Sequence, residues 1–402
     1  MSESATYFQR GFGLKQEAGE RLLEHYASGL VDHIRAKGGR LSVGPLTFRV
    51  AKEMGFCYGV ERAVEYAYET RVKFPDRRVF LTSELIHNPH VNGRMREQGI
   101  AFLETYDQVT QDDVVIIPAF GVTLTEMAFL RKRGCIMVDT TCGSVMNVWK
   151  NVDRYARDGF TTVIHGKHSH QETLATCSRA TKHPDSHYLV VRDMEETEEV
   201  ARFIEAPYSP SAFLDRFRQA VSIGFKPARH LERIGLANQT TMLMSESLAI
   251  GERLRRAFVA RHGEEETRGR FRTFDTICSA TQERQDAVAE LLAERIDVMI
   301  VVGGFNSRNT THLAEMCEGR VAAFHIEDEM GILDARRIRH RTPRTGEVVE
   351  TDGWLPAGDA IVGITAGAST PNNKIGFVVE RILRLAGLAT PAVAEPAPAT
   401  IP

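Results

Sequence analysis

The chain has 402 residues, of which 43% are hydrophobic, and a formal net charge of -3 with a pI near 6.6. This length predicts two or three domains with a sizeable core, and the small net charge excludes a general electrostatic preference for nucleic acid or anionic membranes. No apolar run is long enough for a spanning helix, and the N-terminus lacks the apolar core of a signal peptide. We therefore expect a cytoplasmic protein with reduced thiols and with neither nucleic-acid nor membrane partners.

The predicted elements begin with a helical extension over residues 1–45, in which apolar residues at 22, 23, 26, 30 and 34 follow roughly one stripe. Beyond it, short apolar runs alternate with helical stripes. The predicted strands lie at 78–82, 114–118, 161–165, 296–302 and 359–365. The predicted helices lie at 124–133, 145–155 and 285–294. This alternation is typical of α/β units with mostly parallel sheets.

The fold predicted from this pattern is α/β, with three α/β subdomains after the N-terminal extension. The subdomains cover residues 46–141, 142–277 and 278–388. An insertion at about 204–233, within the second subdomain, is predicted to carry its own helix near 212–221. The tail over 389–402 is rich in Ala and Pro, which predicts disorder.

Three of the six cysteines stand where an extended segment gives way to a helical stripe. Cys57 lies in GFCYGVERAV, Cys142 in VDTTCGSVMNVW and Cys278 in FDTICSATQERQDAV. A thiol near a helix N-terminus is deprotonated more readily, and the thiolate is the form that binds metal. The placement therefore favours three distant thiolates that meet at one metal centre.

The alternative for any of these thiols is a small buried apolar side chain, a common role of free cysteine. We assign that role to Cys135, Cys177 and Cys317. No pair of cysteines has the CxxC spacing of a zinc knuckle or a thioredoxin-like motif. Because long-range ligands leave little signature in a sequence, spacing alone leaves both interpretations open.

Small, polar and histidine residues collect in the segments that follow the predicted strands. These segments are SELIHN (83–88), AFGV (119–122), HGKHSHQE (165–172), GGFNSRNT (303–310) and TAGAST (365–370). Ligands of parallel α/β sheets bind beyond the carboxyl ends of the strands, so the segments are expected to form one site. The helix starts before Leu313 and at Pro371 can accept phosphate oxygens, with plain capping as the alternative for either alone. Together with His87 and His170, they favour an anionic small ligand.

Eight ordered motifs resemble those of the LytB/IspH family of 4-hydroxy-3-methylbut-2-enyl diphosphate reductases. They are GFCYGVERAV, ELIHNPHV, DTTCGSV, IHGKHSHQET, ANQTTML, DTICSATQERQDAV, VVGGFNSRNT and GITAGASTP. The resemblance covers roughly residues 7–385. The N-terminal extension, the insertion and AFG in place of a histidine-containing loop resemble the longer plant and cyanobacterial branch of the family.

The resemblance implies an oxygen-sensitive [4Fe–4S] cluster amid the three subdomains, held by Cys57, Cys142 and Cys278, with one iron left open for substrate. That iron would bind the allylic hydroxyl of (E)-4-hydroxy-3-methylbut-2-enyl diphosphate. The implied reaction removes this hydroxyl with two electrons and two protons. It gives isopentenyl and dimethylallyl diphosphate, in the last step of the methylerythritol phosphate route to isoprenoids. Since the chain has no flavin or nicotinamide fingerprint, the implied electron donor is a ferredoxin or a flavodoxin.

Individual roles follow from the same resemblance. It implies that Glu172 supplies a proton, that Thr240 near the substrate hydroxyl helps to relay it, and that Gln239 supports the pocket. The residues implied as diphosphate contacts are His87, His170, Ser307, Asn309 and Ser369.

Two positions depart from the family pattern at the diphosphate. Phe120 stands where many relatives have a histidine, which removes one donor. Arg308 stands where serine is common, and we expect it either to restore positive charge near the diphosphate or to point away and stiffen the loop. Gly143 also replaces a proline that is common after the second cysteine.

Three other classes of protein compete with the reductase interpretation. A hydratase with an open-iron cluster would need no reductant, and a non-catalytic iron–sulfur sensor would tolerate Glu172→Gln. A zinc hydrolase would be colourless under strict anaerobiosis, whereas an iron–sulfur protein is coloured.

Overall fold

The computed structural model describes residues 6–274 and 278–393. The helices of this part are α1 (Lys15–Tyr26), α2 (Gly29–Ala36), α3 (Tyr58–Lys73), α4 (Pro89–Glu97), α5 (Leu124–Arg133), α6 (Gly143–Arg157), α7 (Gln171–Ala180), α8 (Met194–Glu205), α9 (Pro210–Phe217), α10 (Pro227–His230), α11 (Met244–Arg270), α12 (Ser279–Leu292), α13 (Arg308–Cys317) and α14 (Asn372–Leu385). Its strands are β1 (Tyr7–Phe8), β2 (Arg40–Val43), β3 (Leu46–Val50), β4 (Val79–Leu81), β5 (Ile100–Phe102), β6 (Val114–Ile117), β7 (Ile136–Asp139), β8 (Thr161–His165), β9 (Tyr188–Val191), β10 (Ile234–Asn238), β11 (Phe271–Thr273), β12 (Val298–Val302), β13 (Ala322–Ile326), β14 (Arg337–Arg341), β15 (Val348–Asp352) and β16 (Ala360–Ala366).

Three mostly parallel sheets hold these strands, in the orders β1-β7-β6-β4-β5, β11-β10-β8-β9 and β15-β14-β13-β12-β16-β3-β2. The second sheet is parallel throughout. The third is parallel from β13 to β3 and antiparallel at β14, β15 and β2. The predicted α/β class with mostly parallel sheets is therefore confirmed.

The bounds of individual elements follow the sequence closely where local signals are strong. The predicted strand 161–165 and the predicted helix 124–133 coincide with β8 and α5. A capping box of Thr123 and Glu126 begins α5, and Gly134 ends it with a left-handed φ of 71°. The helix predicted at 285–294 begins earlier, at Ser279. The sequence does not predict its first turns because they are polar and carry no apolar stripe.

The chain divides into two compact units, each made of separate stretches. Unit 1 takes its described residues from Met1–Tyr7, Leu103–Asp113 and Ile117–Cys278, and unit 2 from Phe8–Phe102, Val114–Ile116 and Ser279–Pro402. The three subdomain boundaries given above remain a prediction.

The core of unit 2 is built around β12, whose five apolar residues are all buried. A continuous apolar run of this kind is typical of a parallel strand covered on both faces. Helix α2 of the N-terminal extension adds Leu30, Val31 and Ile34 to the same core. It also lies close to α14, where a Cβ on Gly376 would come within 2.3 Å of the Ser28 hydroxyl oxygen. Helix α2 of the extension is thus an integral part of unit 2.

The core of unit 1 includes the predicted insertion. Helix α9 begins with Ser209 as N-cap and Pro210 in its first turn, which are favoured residues at a helix start. It buries Phe213 and Phe217 beside Phe203, with ring centroids 4.8 Å apart for Phe203 and Phe213 and 4.7 Å apart for Phe213 and Phe217. The segment 204–233 is therefore packed into the unit and is not a peripheral loop.

Among the described helices, none combines the length and the apolarity that crossing a lipid bilayer requires. The predicted tail is described only as far as residue 393, and residues 275–277 of the motif before Cys278 also lie outside the described part.

Replacing Phe213 by Ala tests the packing of the insertion. We expect a loss of about 3–5 kcal/mol in the free energy of unfolding, because a buried aromatic ring leaves a cavity when it is truncated. The matched control is Ile223→Ala in the same segment, where the side chain is fully exposed and the expected change is within about 0.5 kcal/mol. Urea denaturation measures both, and equal stabilities of the two variants would contradict the packing described.

Candidate functional site

In unit 1, the predicted proton-transfer residues follow two neighbouring parallel strands. Strand β8 leads into the loop before α7, and β10 pairs with it so that Asn238 lies opposite His165. Glu172 stands in the first turn of α7, while Gln239 and Thr240 follow β10 directly. Since parallel strands place their carboxyl ends at one edge, these side chains lie together beyond it.

Glu172 and Thr240 form a buried pair. One carboxyl oxygen of Glu172 accepts the backbone N–H of Thr240 at 2.6 Å, and the other is 3.1 Å from the Thr240 hydroxyl oxygen. The two residues are only 3% and 5% exposed. Two hydrogen bonds between residues 68 positions apart fix the carboxyl group against the hydroxyl.

Gln239, which is predicted to support the pocket, joins the two loops that carry this pair. Its carbonyl oxygen accepts the backbone N–H of Lys167 and the hydroxyl of Thr173, both at 3.2 Å, and its amide nitrogen donates to Thr241 at 2.9 Å. A Cβ on Gly166 would lie 3.0 Å from the Gln239 Cβ, so the close approach of the two loops favours glycine there.

Both cysteines of unit 1 connect to the same group of residues. The backbone N–H of Cys278 donates to the Thr240 carbonyl at 3.4 Å, and that of Cys142 donates to the Ala119 carbonyl at 2.8 Å. Phe120, next to Ala119, lies edge-on to the His170 ring with centroids 6.3 Å apart. The structure thus brings Cys142, Cys278 and the predicted residues of unit 1 into one continuous set of contacts.

His170 caps the helix that carries Glu172. It is the N-cap residue of α7, and its Nδ1 accepts the backbone N–H of Glu172 at 3.2 Å. A ring nitrogen that accepts a hydrogen bond carries no proton, so the remaining nitrogen, Nε2, is the donor. This tautomer suits the predicted contact with an anionic ligand.

The loop before Cys142 is shaped by Asp139. Its carboxylate accepts the backbone N–H of Thr141 at 2.9 Å and also the Thr141 hydroxyl. A hydrogen bond from an Asp side chain to the backbone two residues on is an Asx turn. Asp139 therefore has a structural role before Cys142 that was not predicted from the sequence.

In unit 2, Cys57 and three of the predicted diphosphate residues meet around the loop after β16. The backbone N–H of Cys57 donates to the Ala368 carbonyl at 3.1 Å, and the Ala368 N–H donates to the side chain of Asn309 at 2.9 Å. The Ser369 hydroxyl donates to the His87 carbonyl at 3.1 Å. Three loops of unit 2 are thereby joined at one place.

Two donors in these loops are available for an anion. Asn309 uses its carbonyl oxygen toward Ala368, and its buried amide nitrogen has no hydrogen-bond partner among the described residues. Ser307 caps α13 by accepting from the N–H of Thr310 at 3.4 Å and from its hydroxyl at 3.0 Å. The Ser307 hydroxyl proton can therefore be offered to a ligand. The capping interpretation of Ser307 is confirmed, and it leaves the anion interpretation open.

The helix after Ser369 begins one residue later than predicted, with Pro371 as the N-cap of α14.

Glu84 is a residue of this site that the sequence analysis did not predict. One of its carboxylate oxygens lies 2.9 Å from Nδ1 of His87 and accepts from the Asn306 side chain at 2.8 Å. Its position three residues before His87 could have indicated the contact, because the loop between the two residues turns back and brings their side chains together.

Arg308 is the first residue of α13. Its guanidinium lies 3.6 Å from the Glu315 carboxylate, two turns further along the same helix. The side chain therefore runs along the helix away from the Ser307 end. This geometry favours the second of the two roles expected for Arg308.

The cysteines fall into two chemical groups. Cys57 and Cys142 are N-cap residues of α3 and α6, Cys278 directly precedes α12, and all three are partly exposed. Burial raises the pKa of the Cys135 thiol to about 11, and that of a second buried thiol, Cys177, to about 12. The Cys317 thiol is likewise buried and its pKa is raised to about 12. Only the first group has the exposure and the helix-start position that suit thiolate ligands.

A single metal ion needs several ligands at one point. Within 6–274 and 278–393, no three His, Cys, Asp or Glu side chains are close enough together to hold one. In an iron–sulfur cluster the thiolates bind different irons, so its cysteines do not have to converge on a single atom.

The fold and these contacts define an α/β protein whose strand-end loops carry helix-start thiols, a buried carboxyl–hydroxyl pair and donors suited to an anion. The chain belongs to the LytB protein family, whose model matches residues 48–383. The resemblance seen in the sequence is thereby confirmed, and members of this family use an iron–sulfur cluster.

Curated relatives match nearly the whole chain. A protein of Gloeobacter violaceus is 44% identical over 98% of this chain and 97% of its own length, and one of Parasynechococcus marenigrum is 46% identical over 96% and 97%. Both are named 4-hydroxy-3-methylbut-2-enyl diphosphate reductase. Most of the similar relatives are cyanobacterial.

Two solved structures share the fold. One is (E)-4-hydroxy-3-methyl-but-2-enyl diphosphate reductase, the terminal enzyme of the non-mevalonate pathway, with 27% identity and a TM-score of 0.53 over 85% of this chain and all of that chain. The other is the E-1-hydroxy-2-methyl-but-2-enyl-4-diphosphate reductase of Plasmodium falciparum, with a TM-score of 0.62 over 84% and 87%. At 22% identity, the second likeness concerns the fold alone.

The capping role of His170 can be tested separately from any ligand. His170→Ala should lower the free energy of unfolding by about 1 kcal/mol, because the first turn of α7 loses its side-chain acceptor. His170→Asn keeps an acceptor at the N-cap and should be close to wild type in stability. Urea denaturation of the three proteins measures this, and equal losses in both variants would refute the capping role.

Proposed function

We propose that this chain is a 4-hydroxy-3-methylbut-2-enyl diphosphate reductase that converts its allylic diphosphate substrate to isopentenyl and dimethylallyl diphosphate. The observation that carries the proposal is the buried pair of Glu172 and Thr240, bonded through the Thr240 carbonyl to the backbone of Cys278. A proton donor, a relay hydroxyl and a thiol at a helix start are the parts that a reductive dehydroxylation needs. Membership of the LytB family supports the same reaction.

The cofactor of the proposal is a [4Fe–4S] cluster held by Cys57, Cys142 and Cys278. When bound, such a cluster supplies electrons and an open iron that acts as a Lewis acid toward the substrate hydroxyl. The chain contributes helix N-termini at the three thiols, where backbone N–H groups stabilise negative charge. The exposure of these thiols and the burial of the other three support this choice.

The proton would pass from Glu172 through Thr240. Their oxygens are 3.1 Å apart, so a protonated Glu172 can donate to the Thr240 hydroxyl while that hydroxyl passes its own proton to the departing substrate oxygen. The substrate C–O bond breaks, the oxygen leaves as water, and the allylic carbon framework takes up two electrons and a second proton. Burial excludes bulk water from the pair.

The diphosphate would be held by donors at loop ends. The proposed donors are the Asn309 amide nitrogen, the Ser307 hydroxyl, the His87 ring and the Nε2–H of His170. The Ser369 hydroxyl would join them on turning from the His87 carbonyl to the ligand. The buried Asn309 nitrogen supports an anionic ligand most strongly, because a buried donor that lacks a partner is costly until an acceptor arrives.

Electrons would come from a ferredoxin or a flavodoxin. The arginine-rich strand β14 and its flanks are a candidate docking surface for this donor, with a solvated segment as the alternative. Arg336, Arg337 and Arg344 lie 3.2, 2.9 and 2.8 Å from the carboxylates of Asp352, Asp334 and Glu318. This pairing reduces the positive charge of the surface and favours the interpretation of a solvated segment.

Glu172→Gln tests the proton-donor role. The amide matches the shape of the carboxyl group but cannot donate the required proton, so we expect kcat to fall by about 100-fold or more. Iron and sulfide per chain should equal those of the wild type. The measurement is an anaerobic assay of the diphosphate substrate with dithionite or reduced ferredoxin, with Glu104→Gln at an exposed position as the control.

Turnover of Glu172→Gln at the wild-type rate would remove the proton-donor role. Turnover of the wild type without any reductant would show that the chain is a hydratase and not a reductase.

Arg308→Ser separates the two roles of that residue. Because its guanidinium is paired with Glu315, we expect the Michaelis constant for the diphosphate substrate to change by less than about twofold, as is usual when an exposed ion pair is removed. Steady-state kinetics measure this. An increase of about tenfold, equivalent to about 1.4 kcal/mol, would instead place Arg308 at the diphosphate.

A further inference from the structure

The loop that leads to Cys57 is held by two arginines from separate helices of unit 2. Arg284 of α12 donates to the Gly55 carbonyl through Nη2 at 2.8 Å and Nε at 3.3 Å, and to the Phe56 carbonyl at 3.2 Å. Arg35 of α2 donates to the Met54 carbonyl at 2.8 Å. Three consecutive carbonyls just before Cys57 therefore accept from two guanidinium groups.

The backbone of this loop needs the support. Gly55 has a φ of 83°, in the left-handed region that favours glycine, and a Cβ there would lie 2.8 Å from the Asn372 side-chain oxygen. The loop makes a tight turn immediately before the α3 helix start that carries Cys57. Losing its carbonyl partners would leave that turn without its main side-chain support.

The charge of Arg284 is unusual for its position, whereas Arg35 near the end of α2 is exposed. Arg284 is only 3% exposed, and its fourth hydrogen bond, at 2.8 Å, goes to the Ala280 carbonyl of its own helix. Arg35 lies near the carboxylates of Asp32 and Glu53 as well as the charge of Arg284. Among the described residues, neither arginine forms an ion pair with a carboxylate within 4.0 Å.

A buried charge such as that of Arg284 is costly unless an opposite charge compensates it. Carbonyl dipoles compensate part of this cost. A cluster bound by three thiolates is an anion, and it becomes more negative when it is reduced. The proposed cluster ligand Cys57 directly follows the loop that the two arginines hold.

We propose that Arg35 and Arg284 are positioning residues for the cluster: they fix the Cys57 loop and supply the positive charge that balances the reduced cluster. The inference rests on the proposed function, since it assumes that Cys57 is a cluster ligand. It gives the N-terminal extension a role, because Arg35 belongs to α2. It also links the helix that follows Cys278 to the loop that precedes Cys57.

The experiment compares Arg284→Gln, Arg284→Lys and Arg35→Gln with the wild type in the full chain, purified and reconstituted anaerobically. Exposed Arg320→Gln is the control. The readouts are iron and sulfide per chain, the rate of iron loss to a chelator, and the reduction potential of the cluster from a redox titration followed by electron paramagnetic resonance. None of them depends on turnover.

Arg284→Gln and Arg35→Gln should shift the reduction potential to more negative values, because a cation near an anionic cluster stabilises its reduced form. Both should also lose iron several-fold faster than the wild type. Arg284→Lys should keep a potential nearer to the wild type, since the charge remains. It should still lose iron faster, because an ammonium group cannot span the two carbonyls as a guanidinium fork does.

Wild-type potential and wild-type iron loss in both Gln variants would overturn the inference while leaving the cluster intact. If Arg284→Gln does not fold, Arg35→Gln still tests the inference, because it removes a single hydrogen bond of an exposed side chain. A wild-type chain that binds no iron and sulfide would instead overturn the proposed function.

Discussion

The rest of the site depends on the placement of three cysteine thiols at the starts of helices. Backbone N–H groups that have no partner in the first turn stabilise a thiolate there, so the position of a cysteine sets its chemistry. Cys57, Cys142 and Cys278 have this position, whereas Cys135 and Cys177 are buried and their pKa values are raised. In unit 1 the buried Glu172–Thr240 pair is bonded to the backbone of Cys278, and in unit 2 the loop after β16 is bonded to the backbone of Cys57.

The fold was predictable where local signals and burial agree. The apolar runs of β8 and β12 are continuous because both strands are buried, and the capping box of α5 marks its start to the residue. The start of α12 was missed because its first turns are polar. The parallel sheets followed from alternation alone, but the division into two units did not, since each unit joins stretches that are distant in the sequence.

The sequence predicted which loops form the site, but it did not predict the hydrogen bonds between their residues. The sequence placed the relevant side chains after strands, and resemblance assigned their roles. The bond between Glu172 and Thr240 spans 68 positions and has no local pattern. Arg284 was missed for a different reason: a charged residue on a helix predicts a solvated face, and its carbonyl partners belong to the backbone. Buried polar contacts of this kind depend on tertiary structure.

The most direct measurement is iron and sulfide per chain in cysteine variants reconstituted anaerobically. The account predicts that Cys57→Ser, Cys142→Ser and Cys278→Ser each lose most of the bound iron, because each removes one of three thiolates. Cys135→Ala should keep the wild-type content, since its thiol is buried in unit 1 away from any helix start. Full iron and sulfide in any of the first three variants, or its loss in Cys135→Ala, would contradict the account.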